Sequence, residues 1–263
     1  MGSATTQALA ATTAALGAAS KVDLAVAGEL FAAARAIGES SQLSGALADS
    51  AAPPAARRKV VTDVFGGSFS ATSVSLLSSV VDQRWSSASD LIDGIEELAV
   101  RAATVAEPTS DVEAELFAFS QTVAQHSELE LALGSRLGDA SAKGDLVTTL
   151  LGPTASTATT LIASSLVQQP RERRVRQLLS RATAIVADQR GRAVATVTTA
   201  VPLSAAQAKR LESALSQRYG TDVMLNTIVD ASVVGGLRVQ IADDVIDASV
   251  SARLADLRQR LAG

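Results

Sequence analysis

The chain has no cysteine, and its 263 residues include one histidine, one tryptophan and one tyrosine. Without cysteine there is no disulfide, no thiolate nucleophile and no Cys-ligated metal, and the composition fits a reducing compartment. His126 has no second His or Cys to join it in a metal site or a catalytic constellation, so it is read as a surface or bundle-edge residue and no metal is expected. Positive charge is also scarce. With 23 Lys and Arg against 27 Asp and Glu, the chain lacks the cationic surplus that phosphate backbones require, and no nucleic-acid partner is expected. The longest uncharged run, between Asp145 and Arg171, is broken by Gly152-Pro153 and rich in Ser and Thr, so no spanning helix is expected. The first twenty residues have neither the positive start nor the apolar centre of a secretory leader. Met1-Gly2-Ser3-Ala4-Thr5-Thr6 matches the N-myristoylation pattern, but the match is short enough to arise by chance.

What the chain does have is alanine, leucine and valine. Hydrophobic residues make up 47% of it and aromatics only 3%, a balance that favours closely packed helices, since alanine is the best helix former. The length suffices for more than one domain.

The sequence repeats itself. Glu29-Leu30-Phe31-Ala32 recurs 86 positions later as Glu115-Leu116-Phe117-Ala118. In the same register Leu43 meets Leu129, Leu47 meets Leu133, Val61 meets Val147, Gly66 meets Gly152, Ser79 meets Ser165, Val81 meets Val167 and Val100 meets Val186. Val26, Leu30, Ala33 and Ile37 in the first copy, and Leu116, Phe119 and Val123 in the second, follow helical steps. Pro53-Pro54, Gly66-Gly67, Gly152-Pro153 and Gln169-Pro170 separate the short helices. Each copy reads as a small antiparallel bundle, residues 1–105 and 106–191. Ser3 to Ala19 aligns with Ser89 to Val105, so the last helix of copy one is a candidate for the first helix of copy two.

From about Arg192 the pattern changes. Ala193 to Val201 is rich in Val and Thr and ends at Pro202, as strands do. Ser204 stands three residues before Gln207 as in a capping box, and Leu211, Ala214, Leu215 and Tyr219 line a helix that Gly220 stops. Residues 223–229 and 237–241 alternate as strands, a short extension follows at Val245-Ile246, and a last helix carries Val250, Leu254, Leu257 and Leu261. The fold class is therefore mainly α: two tandem antiparallel helical bundles followed by a small α+β domain over residues 192–263.

Residues 233–257 resemble the C-terminal signature of the ATP synthase delta family, which includes the oligomycin sensitivity-conferring protein. The signature has one or two glycines, an alternating strand, an acidic turn, Val-Ile-Asp-x-Ser-Val and a late Arg-Leu. Here these are Gly235, Gly236, Asp243, Val245 to Asp247, Ser249, Val250, Arg253 and Leu254. Ala242 and Ala248 depart from it, standing where the family often has glycine. Val194 to Ser204 is similar to the family's entry into this domain, and the helical copies are similar to its N-terminal bundle. The duplication resembles that of the longer actinobacterial members.

The resemblance implies a non-catalytic stator subunit that binds N-terminal helices of the alpha subunits at the catalytic head and the C-terminal ends of the b stalk. It would act peripherally, through the complex, on the cytoplasmic face of the plasma membrane. It also implies a groove between the first and fifth helices, carried over onto Leu9 and Leu16 and onto Val74, Leu77 and Val81, with Gly235 and Gly236 as contacts in the last domain. The rival reading is a helical regulatory or nucleic-acid-binding adaptor.

Other candidates have modest readings. Gly66-Gly67 and Gly235-Gly236 lack the spacing of a phosphate or dinucleotide loop, so no cofactor is expected. Glu96-Glu97 are adjacent and diverge on a helix, so they form no acid–base pair, while Asp243-Asp244 fall in a turn. Arg171-Glu172-Arg173-Arg174-Val175-Arg176 reads as a solvated helix start, with contact to acidic subunit surfaces or anionic lipid as the alternative. Trp85 reads as core or edge packing, with a binding hot spot as the alternative.

Overall fold

The computed structural model describes residues 2–135, 138–171, 173–231, 233, 235–241 and 244–247. Eleven helices come first: α1 (Ser3–Ala18), α2 (Leu24–Glu39), α3 (Ser41–Ala48), α4 (Pro54–Phe65), α5 (Ala71–Asp82), α6 (Ala88–Ala106), α7 (Val112–Gln125), α8 (Ser127–Gly134), α9 (Ala140–Leu151), α10 (Thr157–Gln168) and α11 (Val175–Gln189). The repeat register carries into the backbone. Shifted by 86 positions, the bounds of α3, α4 and α5 coincide with those of α8, α9 and α10.

The caps repeat as well. Ser70 starts α5, and its backbone N–H and hydroxyl donate to Glu29 of α2 at 2.9 and 2.8 Å. Ser156 starts α10 and donates to Glu115 of α7 at 2.9 and 2.6 Å. Each carboxylate thus ties the start of one helix to another, as acceptors near a helix N-terminus do. Burial pushes the Glu29 carboxyl up, but hydrogen bonds from Ser73 and Ser70 outweigh it and hold the group below its ordinary value. A carboxylate depressed in the folded state stabilises the fold above its unfolded pKa, and this is lost as pH falls through the folded pKa. Glu29→Gln should therefore flatten the acid limb of a stability-against-pH curve while changing the slope near neutrality little; an unchanged acid limb would contradict the assignment.

α6 occupies α1's place in the repeat and belongs to both bundles. It packs against α1, α2, α3 and α5 of copy one and against α10 of copy two. From Gly94 to Thr104 every residue of it is buried. One apolar core therefore runs from Ala8 and Leu16 of α1 through Leu98 of α6 to Leu179 and Val186 of α11. The two copies are parts of one compact unit, residues 1–186.

The second unit begins at Ala187, in the last turn of α11, rather than at the composition change near Arg192. It holds β1 (Arg192–Thr199), α12 (Ala205–Tyr219), β2 (Asp222–Val229), β3 (Leu237–Ile241) and β4 (Asp244–Asp247). The sheet order is β2-β1-β3-β4. β1 and β2 are parallel, joined by the α12 crossover, and the other two pairs are antiparallel. The expected capping box at Ser204 and Gln207 forms, and Gly220 closes α12 in the left-handed region at φ 69°.

β1 stops at Thr199, two residues short of Val201, and the Thr199 hydroxyl donates to the Val201 carbonyl at 3.0 Å. The β2 alternation is broken. Val223 and Asn226 are the buried residues of this edge strand, while Val229 is exposed. β3 alternates as expected, with Val239 and Ile241 buried beside Ala195, Val197 and Leu215. The predicted last helix and the residues Ala242, Asp243 and Ala248 lie outside the described residues.

Candidate functional site

The face formed by α1 and α5 is built almost without charge. α1 has no charged residue and α5 has only Asp82, which accepts a salt bridge from Arg58 at 2.8 Å. Thr5, Ala8, Thr12 and Leu16 recur at helical steps and turn inward. The Thr5 hydroxyl donates to Asp90 of α6 at 2.9 Å and accepts the Ser86 backbone N–H at 3.3 Å, which anchors the first turn. Outside lie small or aliphatic residues: Leu9, Thr13 and Ala15 from α1, and Thr72, Val74, Ser78 and Ser79 from α5, all half-buried. Small side chains let a third helix approach closely, so the face is shaped for helix packing rather than chemistry.

The residues carried over to this groove divide. Leu9 and Val74 are half-buried and reachable. Leu16, Leu77 and Val81 are not: their exposures are 2%, 0% and 0%, and all three belong to the core. The inward stripe of α5 is wide, with Ser73, Leu76, Leu77, Val80 and Val81 buried, and Val74 stands at its edge. A three- and four-residue step through Val74, Leu77 and Val81 therefore crosses from surface to core. The residues that sequence reasoning missed are Thr13, Thr72, Ser78 and Ser79, and the missing charge along both helices was the available signal.

The corresponding face of copy two is closed. There α6 and α10 take the places of α1 and α5, and α2 of copy one lies against both. A Cβ on Gly28 of α2 would stand 3.9 Å from the Leu161 side chain of α10, and one on Gly38 would stand 2.7 Å from that of Gln169. The half-buried Leu9, Thr13, Thr72, Ser78 and Ser79 correspond to Ile95, Ala99, Ala158, Ser164 and Ser165, with exposures of 0%, 0%, 0%, 8% and 7%.

The basic cluster divides: Arg174 and Arg176 are exposed at the start of α11, as a solvated helix start would be, while Arg171 and Arg173 are half-buried and turn toward α6. Arg171 and Arg173 each reach Glu96 of α6 at 2.7 Å, and both also contact Asp93. Arg181 approaches Asp93 and Glu97 at 3.7 and 3.6 Å, and Arg101 holds Glu97 at 2.8 Å. Glu96 and Glu97 diverge as expected but are both buried, each spent on arginines. Arg176 pairs with Glu130 at 3.1 Å. These contacts spend Arg171 and Arg173 inside the fold and leave Arg174 and Arg176 on the surface.

Trp85 packs internally. It is 6% exposed, donates its indole N–H to the Val80 carbonyl at 2.9 Å and lies against Gly94, where a Cβ would come within 2.1 Å of the ring. His126 is exposed at the junction of α7 and α8. In the second unit Gly235 and Gly236 are exposed and hold φ of 66° and 80°, the left-handed region that glycine tolerates, in the turn that leads into β3. The Asp244 carboxylate accepts the Tyr219 hydroxyl at 3.1 Å.

A helical repeat body whose buried carboxylates Glu96 and Glu97 are spent on its own arginines, joined to a small α+β unit, has the build of a scaffold protein that works through its surfaces. The ATP synthase delta (OSCP) subunit family model matches residues 97–261. The chain is 50% identical to the ATP synthase subunit delta of Leifsonia xyli subsp. xyli, over 100% of each chain. To that of Streptomyces avermitilis it is 39% identical, over 90% of this chain and 88% of the relative, and to that of Streptomyces griseus subsp. griseus 40%, over 82% of each. The chain belongs to the ATP synthase delta (OSCP) subunit family. It is a structural component of the peripheral stalk of the ATP synthase, not a catalytic one. Among the described residues no helix is long and apolar enough to cross a membrane. The family match starts inside α6, so it takes in copy two and the C-terminal unit and leaves α1 to α5 outside.

Proposed function

We propose that this chain joins the catalytic head to the b stalk by holding an N-terminal helix of an alpha subunit on the α1/α5 face, and the C-terminal ends of b on the unit that begins at Ala187. It does so at the cytoplasmic face of the plasma membrane, and the joint holds the head still so that rotation is coupled to proton transport and ATP synthesis. The observation that carries the head contact is the asymmetry between the copies. The chain buries the α6/α10 face under its own α2 and leaves the equivalent α1/α5 face uncovered. A charge-free face of small residues between two helices suits an amphipathic helix, which buries apolar side chains without desolvating charge.

Titration of an alpha-subunit N-terminal peptide tests the assignment. Val74→Asp puts a charge on the half-buried edge of the face and is expected to weaken binding at least about tenfold, or about 1.4 kcal/mol. Thr160→Asp, at the same place in copy two, is expected to leave it unchanged. The reverse result would move the head contact to copy two. For the stalk contact, removing residues 192–263 is expected to abolish co-purification with b and to leave a helical fragment with a cooperative melt, since the helical unit has its own core. Retained b binding by that fragment would refute the division of labour.

A further inference from the structure

The helix that the chain lays on its own closed face has a direction. Gly28, in the second turn of α2, lies against the Leu161 side chain in the second turn of α10, and Gly38, in the last turn of α2, lies against Gln169, the residue that ends α10. The two contact points are ten positions apart on α2 and eight on α10, about 15 and 12 Å at 1.5 Å per residue. Contacts met in the same order and at similar spacing fix the sense: α2 runs parallel to α10 along the α6/α10 face.

The open face repeats the surface under α2. Leu9 stands for Ile95, Thr13 for Ala99, Thr72 for Ala158, Ser78 for Ser164 and Ser79 for Ser165, aliphatic for aliphatic and small for small. The far end is kept outright, because Gln83 ends α5 as Gln169 ends α10. At the near end Ser75 takes the place of Leu161, and it is exposed where Leu161, under α2, is half-buried. α1 packs on α5 as α6 packs on α10, so a helix laid on the open face meets the same ridges and grooves. Side chains tilt toward the N-terminus of their own helix, so turning the guest around changes which of them interlock. The sense that fits one face therefore fits the other.

We propose that the alpha-subunit helix on the α1/α5 face runs parallel to α5, its first turns beside Ser75 and its last turns beside Gln83, as α2 lies along α10. The inference rests on the head contact argued above and adds a direction to it. A second copy of the chain does not supply the helix, since α2, the segment with this fit, is held in its own core through Leu30, Phe31 and Ile37. The direction has a consequence for the assembly. The alpha chain continues from the C-terminal end of its first helix, so it leaves the face at Gln83, next to the Trp85 corner, and that end of the bundle is the one turned to the head.

Because the chain has no cysteine, Ser75→Cys and Gln83→Cys each carry a single thiol. Each variant is mixed with alpha-subunit N-terminal peptides bearing one cysteine, in the first or in the last turn of their helix, and disulfide formation is timed in a glutathione redox buffer. Ser75→Cys is expected to favour the first-turn thiol and Gln83→Cys the last-turn thiol, each by at least about fivefold, since bound thiols react at the effective concentration that their geometry allows. Spin labels at the same two positions, read by the broadening of peptide resonances, should give the same order without forming a bond. The reverse preference would mean an antiparallel guest, and no preference at either position a guest lying across both helices; either result would overturn the proposal. Val74→Asp, added to each variant, is expected to suppress the cross-links. Cross-links that Val74→Asp leaves unchanged, or no binding of the cysteine-free peptide to the parent chain, would instead strike at the head contact itself.

Discussion

Glu96→Ala should lower the stability of the helical unit by about 3 kcal/mol, the low end of what breaking a buried ion pair costs. The Glu96 side chain is 9% exposed and is shared by Arg171 and Arg173, themselves 20% and 24% exposed. Removing it leaves two guanidinium groups largely out of water that keep their contact with Asp93. That residual contact keeps the cost from being larger. Denaturant unfolding followed by circular dichroism measures the loss, and a double-mutant cycle with Arg171→Ala separates pairing from packing. If the two substitutions add within about 0.5 kcal/mol, the pairing contributes little. The effect concerns how copy two is held to α6, because Glu96 lies on α6 while both arginines lie in the segment leading into α11.

Trp85→Ala should cost about 3–5 kcal/mol, the range for deleting a large buried aromatic side chain. Three losses combine: the ring's contact with α6 at Gly94, the indole N–H bond to the Val80 carbonyl, and the cavity left behind. The neighbouring Ser86 donates its backbone N–H to Thr5, so loosening this corner should also loosen α1 and weaken any helix held on the α1/α5 face. Gly94→Leu alone should destabilise by about 1–3 kcal/mol through overpacking, because its Cβ would overlap the indole. The pair Trp85→Ala with Gly94→Leu should recover part of the loss by refilling the space. A double variant no more stable than Trp85→Ala would mean that the ring and the glycine are not packing partners.

Much of the architecture was legible because it rests on local signals that occur twice. Paired breaks such as Gly66-Gly67 and Gly152-Pro153, and periodic apolar positions such as Val26, Leu30, Ala33 and Ile37, mark helices whichever neighbours they find. Their agreement across a constant shift made the reading stronger than either copy alone. The α+β unit was legible for the same reason, through the capping box at Ser204, the stop at Gly220 and the alternation of β3.

What escaped was tertiary. The sequence shows that Glu96 and Glu97 diverge on a helix but not that α6 is covered on both sides, so that both find arginines some 75 to 85 positions away. A hint was present, since Glu96, Glu97 and Arg101 stand where α1 has Ala10, Ala11 and Ala15. Gaining three charges on a repeated helix, together with the exchange of Trp85 for Arg171, points to partners inside the fold. Leu77 escaped because a helical step gives a direction but not the width of the buried stripe.

Counting α6 in both copies has a mechanical consequence. Two bundles joined by a linker would act as a hinge, and a sideways load on one would be taken up by bending the connection. Here the connection is a 19-residue rod, roughly 28 Å long at 1.5 Å per residue, with its middle clamped on both sides. A pull applied at α1 and α5 reaches α7 to α10 as shear along one hydrogen-bonded helix. The compliance of the joint is then set by side-chain packing around α6, so the doubled bundle adds reach to the stalk without adding a soft element in series.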